Sequence, residues 1–133
     1  MRKNIYTALI IPIIFTACSV DDTPIAPPIA SSYKLVEILA DPGDGSGTFE
    51  TVTSNKQLTF YANGTITSNG NLCQISIDSD YPSTGTYNSD SLFIQSDSCS
   101  NRRISYAING KTLTLSRLCR EPCREKYQKI EPL

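Results

Sequence analysis

Gln57-Leu58-Thr59-Phe60-Tyr61-Ala62-Asn63-Gly64-Thr65-Ile66-Thr67-Ser68 is the stretch that decides the fold. Apolar and polar residues alternate on both sides of Asn63-Gly64, which is typical of two half-buried strands. Asn-Gly between two such runs is the strongest short-range signal for a β-hairpin, because both residues tolerate the positive φ of a type I′ turn. The stretch therefore predicts an antiparallel hairpin with Leu58, Phe60 and Ile66 facing inward.

A second hairpin is predicted across Asn109-Gly110, with Ile104, Tyr106 and Ile108 on one face. Further short strands are predicted at 33–39, 72–77, 84–87, 91–94 and 125–130, and no convincing helix follows residue 17. About eight short strands at regular spacing indicate an all-β fold, either a small antiparallel up-and-down barrel or a small sandwich. We expect the barrel, because pairing the first strand with the last removes the exposed edges.

The N-terminus carries a secretory signal. Arg2-Lys3 precedes an apolar run from Ile5 to Ala17, which is shorter than the roughly 20 residues that span a bilayer. Phe15-Thr16-Ala17 leads directly into Cys18 and resembles the lipobox of bacterial lipoproteins. The resemblance implies that Cys18 is acylated, becomes the first mature residue and holds the protein at a membrane. An uncleaved anchor or a buried helix is the alternative.

Residues 19–32 predict a tether between the lipid and the domain. Ser19-Val20-Asp21-Asp22 resembles the export signal of surface lipoproteins in Bacteroidota, although a solvated acidic start explains it almost as well. Both the periplasmic face of the outer membrane and the cell surface therefore remain open. Three prolines in residues 23–32 favour extended backbone. The predicted divisions are a signal peptide (1–17), a lipidated cysteine with its tether (18–32) and one β-barrel domain (33–133).

The cysteines fit an exported domain. Beyond Cys18 the chain has four, Cys73, Cys99, Cys119 and Cys123, and an even number predicts two disulfides with three possible connectivities. The tight turn expected at Glu121-Pro122 favours Cys119–Cys123, and hence Cys73–Cys99. Zinc is the competing interpretation, but the chain has no histidine and lacks the two-residue spacing of zinc knuckles. We expect no metal and no cofactor.

Charge is distributed unevenly along the chain. Residues 19–101 hold two lysines and ten acidic residues, whereas residues 102–133 hold eight basic residues and three acidic ones. The net charge of −1 gives no reason to expect nucleic acid as a partner. The basic stretch Arg117, Arg120, Arg124 and Lys126 is a candidate contact patch, although solvated strand faces also explain it.

The composition argues against an enzyme. Without histidine a serine–histidine–acid triad is impossible, and the expected disulfides leave no thiol nucleophile. A glycosidase with paired carboxylates is conceivable from 13 acidic residues, but it needs a deep cleft that about 100 residues of short strands hardly provide. We therefore expect a protein that binds rather than catalyses.

The domain resembles the lipocalin-like lipoproteins common in Bacteroidota. Four segments carry the resemblance: Tyr33-Lys34-Leu35-Val36, residues 58–65, Gly85-Thr86-Tyr87 and residues 108–115. The resemblance implies an eight-stranded barrel without catalytic residues. Tyr33 stands where tryptophan is usual in that family.

Two loops are candidate binding sites, because loops on a rigid scaffold usually carry recognition. The first offers Asp41, Asp44 and Ser46, and the second offers Asp78, Asp80 and Tyr81. The oxygens of the first loop are also candidate calcium ligands, but their spacing does not match an EF-hand and favours a plain flexible loop. Two functions follow. One is a membrane-tethered module that holds a small apolar or amphipathic ligand in its mouth. The other is a protein–protein module, such as a hydrolase inhibitor or an accessory subunit of an envelope complex, which a filled barrel interior would favour.

Cys18→Ser should release the domain from membranes or leave the precursor uncut, because the charged tip, the apolar run and the small residues all end at Cys18. Membrane fractionation and the mass of the mature chain measure both effects. Unchanged fractionation together with unchanged cleavage would contradict the assignment.

Overall fold

The computed structural model describes residues 29–41, 43–119 and 122–131. It contains nine strands: β1 (Ile29–Ala40), β2 (Glu50–Thr51), β3 (Gln57–Tyr61), β4 (Thr65–Ser68), β5 (Ser83–Asn88), β6 (Phe93–Ser96), β7 (Arg103–Asn109), β8 (Thr112–Leu118) and β9 (Pro122–Ile130). A 3₁₀ turn at Asp97–Cys99 lies between β6 and β7. Cys18 and the tether up to residue 28 lie outside the described residues, so lipidation stays a prediction.

The described residues contain no helix that is both long and apolar enough to cross a membrane.

Eight of the strands close an antiparallel barrel, as the hairpin pattern predicts. β1 and β3 to β9 follow one another around the barrel, and β1 pairs with β9 from Ser32↔Ile130 to Ala40↔Cys123. Closure removes the free edges that an open sheet would expose. β2 is an additional two-residue strand that pairs with β1 at Glu37 and Ile38. The fold is therefore a small all-β up-and-down barrel.

The barrel has two unlike ends, because consecutive strands run in opposite directions. The long-loop end carries the connections 41–56, 69–82 and 97–102 and the link from β8 to β9. The tight-turn end carries the connections 62–64, 89–92 and 110–111. Ile29, the first described residue, also lies at the tight-turn end, since it pairs with Tyr61. The two loops singled out for binding thus share one end.

The decisive hairpin forms with Leu58, Phe60 and Ile66 facing inward, as predicted. Leu58 lies opposite Ser68, and Phe60 lies opposite Ile66. The turn type differs from the expectation. Only the glycines adopt positive φ, at 85° for Gly64 and 59° for Gly110, and neither Asn63 nor Asn109 does. Asn63 instead accepts hydrogen bonds from the backbone N–H and the hydroxyl of Thr65. Gly64 closes a three-residue loop, 62–64, whereas Gly110 is the first residue of a two-residue loop, 110–111, and both loop lengths are common in hairpins.

Side chains fill the barrel interior. Twelve buried hydrophobic residues form one cluster: Tyr33, Leu35, Leu58, Phe60, Ile66, Leu72, Ile94, Ile104, Tyr106, Leu113, Leu115 and Tyr127. The Phe60 ring contacts three tyrosines, with ring centroids 5.8 Å from Tyr33, 4.9 Å from Tyr87 and 5.8 Å from Tyr106. Each large apolar side chain buried in this way stabilises the fold by about 1.5–3 kcal/mol.

The strand predicted at 72–77 is wrong. Residues 69–82 form a loop that folds over the long-loop end, with Leu72 fully buried and Ile77 exposed. Polar side chains make the hydrogen bonds to the backbone of this loop that a neighbouring strand would make in a sheet. Ser83 Oγ accepts from the Leu72 backbone N–H and donates to the Gly70 carbonyl. A Cβ on Gly70 would lie 2.4 Å from the Asp78 carbonyl oxygen, so this fold of the loop requires glycine.

Three further predictions need correction. β1 begins at Ile29 instead of residue 33, because its first residues pair with β3. The strand predicted at 91–94 is Phe93–Ser96, so Ile94 faces inward and Phe93 faces outward beneath Arg103. Ile108 shares the inward parity of β7 yet is 51% exposed, because it is the second-last residue of that strand and lies at the tight-turn end of the barrel.

Both favoured disulfides are present, Cys73–Cys99 and Cys119–Cys123. Cys73–Cys99 attaches the 69–82 loop to the 3₁₀ turn after β6, and Cys119–Cys123 closes the link between β8 and β9. Both bonds therefore stabilise the long-loop end.

Replacing Cys73 and Cys99 together with alanine should lower the free energy of unfolding by about 3 kcal/mol, and replacing Cys119 and Cys123 by about 2 kcal/mol, because the longer closed loop restricts the unfolded chain more. Urea unfolding of the two double variants measures both losses. A larger loss from the shorter loop would contradict this account.

Candidate functional site

The long-loop end brings together all six residues predicted as binding candidates. Asp41, Asp44 and Ser46 follow β1, and Asp78, Asp80 and Tyr81 lie in the 69–82 loop. Among the described residues no hydrogen bond joins the two groups directly. They are separate loops on one end of the scaffold.

Asp41 organises the first loop and is itself buried. Its Oδ1 accepts from the backbone N–H groups of Gly43 (2.7 Å) and Gly45 (3.1 Å), and its Oδ2 accepts from that of Gly47 (3.1 Å). These bonds, that of Gly43 first, hold the pKa of the Asp41 carboxyl below its usual value. Both oxygens thus bind the loop's own backbone, and the described residues contain no cluster of acidic or cysteine side chains suited to a metal ion.

The remaining candidates are exposed. Asp44 accepts from the hydroxyl and the backbone N–H of Ser46, and these bonds lower the pKa of its carboxyl. Asp78 Oδ2 accepts from the Ser76 hydroxyl at 2.6 Å, and Asp80 accepts from the Ser79 backbone N–H at 3.1 Å. Tyr81 is 65% exposed, which leaves its ring free for contact with a partner.

Beneath these loops lies a buried charge cluster that we call the Glu125 cluster, made of Lys56, Arg117 and Glu125. Lys56 and Glu125 are fully buried and Arg117 is 9% exposed. Lys56 Nζ donates to Glu125 Oε1 at 2.9 Å, and Arg117 Nη2 donates to Glu125 Oε2 at 2.7 Å. Two cations thus share one carboxylate inside the barrel.

The cluster holds the 69–82 loop in place. Ser76 contributes its N–H to Glu125 Oε1 at 3.3 Å, and its carbonyl accepts from Lys56 Nζ at 3.1 Å. Arg117 Nε donates to the Leu72 carbonyl at 2.9 Å. Burial lowers the pKa of Lys56, and burial beside the Glu125 carboxylate raises the pKa of Tyr127 well above 10, so its hydroxyl stays protonated and donates to Glu125 Oε2 at 2.8 Å.

Arg117 has one further donor that is not used. Its Nη1 is buried and has no hydrogen-bond partner in the part of the chain that the structure describes. A buried donor without a partner costs about 1–3 kcal/mol, and more when it is charged. Arg117 also lies in the wall of a cavity of about 100 Å³, which Arg102, Arg103, Ile104 and Leu118 help to line.

Two open grooves adjoin this cavity. One, of about 340 Å³, runs along the outer wall past Phe93, Arg103 and Leu118. The other, of about 410 Å³, follows the Cys73–Cys99 disulfide and Arg102. Leu118, which is 92% exposed, lies where the first groove meets the cavity. Leu118 and the exposed Arg102 and Arg103 therefore lie around the cavity at the rim, and the buried Arg117 forms part of its wall.

The predicted basic patch does not form one surface. Arg117 points into the barrel, whereas Arg124 is exposed on the outer wall. Lys126 Nζ forms a salt bridge with Glu37 Oε2 at 2.6 Å and lies 3.8 Å from the centre of the Phe49 ring. Arg120 lies outside the described residues. The alternation of β8 explains the split, because Leu113, Leu115 and Arg117 share the inward parity.

Sequence reasoning missed the Glu125 cluster. The signal was strand parity, since Lys56 precedes the inward Leu58 and Phe60 by steps of two, and Glu125 precedes the inward Tyr127. A charged residue at an inward position was not considered as a core residue, because such residues are almost never fully buried unless they are paired.

Comparison with known proteins gives no match to a protein-family model, to a curated protein or to a solved structure.

Glu125→Gln should lower the free energy of unfolding by about 3–5 kcal/mol, because it leaves two buried cations without a carboxylate. Lys56→Met should cost less, about 1–2 kcal/mol, since Glu125 keeps Arg117, and its Oε1 loses Lys56 but keeps the Ser76 N–H, whereas the Ser76 carbonyl loses its Lys56 donor. Glu131→Gln, which breaks the exposed pair with Lys111, is the matched control and should cost below about 1 kcal/mol. Urea unfolding distinguishes the three.

The same variants have a pH signature. Because the folded pKa of Lys56 is lowered, the unfolded chain binds more protons between that pKa and 10.5, and stability rises with pH across this window. The rise should be absent in Lys56→Met. Two outcomes would contradict the role assigned to the cluster. One is an equal loss of unfolding free energy in Glu125→Gln and Lys56→Met, and the other is a pH dependence of stability in Lys56→Met that matches the wild type.

Proposed function

We propose that this protein is a lipoprotein of the bacterial envelope, anchored through Cys18 in the outer membrane on its periplasmic face or at the cell surface, and that it binds a protein partner with the long-loop end of its barrel. The function is recognition without catalysis. The signal sequence supports the anchor, and the filled barrel interior supports recognition at the rim.

The packing of the interior is the observation that carries the choice of partner. Twelve hydrophobic side chains and the Glu125 cluster occupy the space in which a lipocalin-like protein would hold a ligand. Pockets for small molecules usually measure about 300–1,000 Å³. The cavity beside Arg117 measures about 100 Å³ and has charged walls, which suits neither an acyl chain nor a comparable apolar ligand.

The direction of the chain supports recognition at the long-loop end. Ile29 begins β1 at the tight-turn end, so a tether attached there directs the opposite end away from the membrane. The long-loop end carries the long connections, both disulfides and an exposed aromatic ring at Tyr81. Tyrosine is enriched at protein interfaces, and loops on a rigid scaffold are favoured recognition elements.

A photo-crosslinking amino acid placed at Tyr81 or Leu118 should capture a partner protein in intact cells, because both positions are exposed at the long-loop end. Leu92 and Ile108 are the matched control positions, since they are also exposed but lie at the tight-turn end. Crosslinked bands on denaturing gels, identified by mass spectrometry, report the outcome.

Partners crosslinked equally at the two ends would contradict recognition at the long-loop end.

Native mass spectrometry of the protein extracted from its membrane tests the ligand-carrier function. A small apolar molecule retained in a one-to-one complex would favour the ligand-carrier function instead.

A further inference from the structure

The cavity beside Arg117 joins the two grooves at the long-loop end. It shares Arg103, Arg117 and Leu118 with the groove on the outer wall, and Cys73 and Arg102 with the groove along the disulfide. A polypeptide segment in extended conformation that follows both grooves therefore passes over the cavity mouth. A side chain of that segment is the group placed to enter it.

The charges at the cavity select an anion. Arg102, Arg103 and Arg117 line it, and none of the other described lining residues is acidic. Inside the barrel Lys56 and Arg117 share a single carboxylate, which leaves the Glu125 cluster with an excess positive charge. The carboxylate oxygens of Glu125 bind Lys56, Arg117, Tyr127 and the Ser76 N–H, so they do not reach the unused donor.

We propose that the cavity accepts the side-chain carboxylate of an aspartate or glutamate in an extended segment of the partner protein. The inference rests on the proposed function and names the chemistry of the partner. Arginine is suited to this role because its planar fork matches the two oxygens of a carboxylate. The carboxylate supplies the acceptor that Arg117 Nη1 lacks and pairs with Arg102 and Arg103 at the mouth.

The volume of the cavity and the grooves on both sides of it define the occupant further. A cavity of about 100 Å³ is smaller than the 150 Å³ or so that encloses benzene, and it suits a short side-chain acid. Because grooves continue on both sides, the acidic residue lies within a chain and not at its end. Leu118 and Phe93 in the outer-wall groove favour an apolar neighbour next to the acid.

Fluorescence anisotropy of a labelled peptide tests the proposal with the full chain in detergent. The probe is a peptide of serine, leucine, glutamate, leucine and serine, blocked at both ends, and the control peptide carries glutamine in place of glutamate. The glutamate peptide should bind at least about tenfold more tightly, because it alone makes charge-assisted hydrogen bonds. The difference should shrink as salt is raised.

Two double variants locate the site. Arg102→Gln with Arg103→Gln removes two exposed arginines and should weaken binding of the glutamate peptide about tenfold. Lys34→Gln with Lys111→Gln removes the same charge away from the long-loop end and should leave binding unchanged. Arg117 itself is followed by ¹⁵N NMR of its guanidinium, whose Nε–H is bound to the Leu72 carbonyl. Its signal should shift with the glutamate peptide only.

Equal affinity for the two peptides, no binding of either at millimolar concentration, or equal losses from the two double variants would overturn the carboxylate site. Each outcome is separable from the proposed function. A partner that crosslinks at Leu118 and binds the Arg102/Arg103 double variant as tightly as the wild type would leave recognition at the long-loop end intact and remove the carboxylate site alone.

Discussion

The carboxylate of Glu125 is the constraint on which the long-loop end depends. It receives hydrogen bonds from the residue that leads into β3, from β8, from its own strand β9 and from the 69–82 loop. Burying three charges costs desolvation energy, and only good geometry offsets it. The cluster is therefore weak evidence for extra stability, and what its contacts show is that it fixes the position of the 69–82 loop through Ser76 and Leu72.

The filled interior leaves the rim as the place for the recognition that we propose. The apolar cluster stabilises the strands and the Glu125 cluster closes one end. The loops above them are held by two disulfides and by hydrogen bonds that the Asp41 carboxylate, the Ser76 carbonyl and the Ser83 hydroxyl accept. The opposite end consists of turns too short to contact much of a partner. Division of labour between a scaffold and its loops is a common arrangement in binding proteins.

Sequence reasoning predicted the barrel, both hairpins and the disulfide pairing, because alternation, Asn-Gly turns and cysteine spacing are local signals. Sequence reasoning failed where the conformation or burial of a residue depends on partners that are distant in sequence. Leu72 has the pattern of a strand, but its partners are Ser83 Oγ and Arg117, so it becomes part of a loop. Lys56 looks like a solvated residue, and only Glu125, 69 residues away in sequence, explains its burial. Asp41 was predicted to contact a partner or a calcium ion, but its carboxylate accepts hydrogen bonds from the backbone of its own loop.

The pairing of β1 with β9 has a consequence for the order in which the molecule acquires its structure. Ser32 lies opposite Ile130, so one side of β1 has no neighbour until nearly the whole chain is present. Contacts this distant in sequence form slowly, because the loop-closure entropy comes before the contact energy. A chain exported from its N-terminus would thus reach its destination with β1 unpaired on that side. If the proposed export and anchoring hold, the barrel would close only after translocation, beside the membrane.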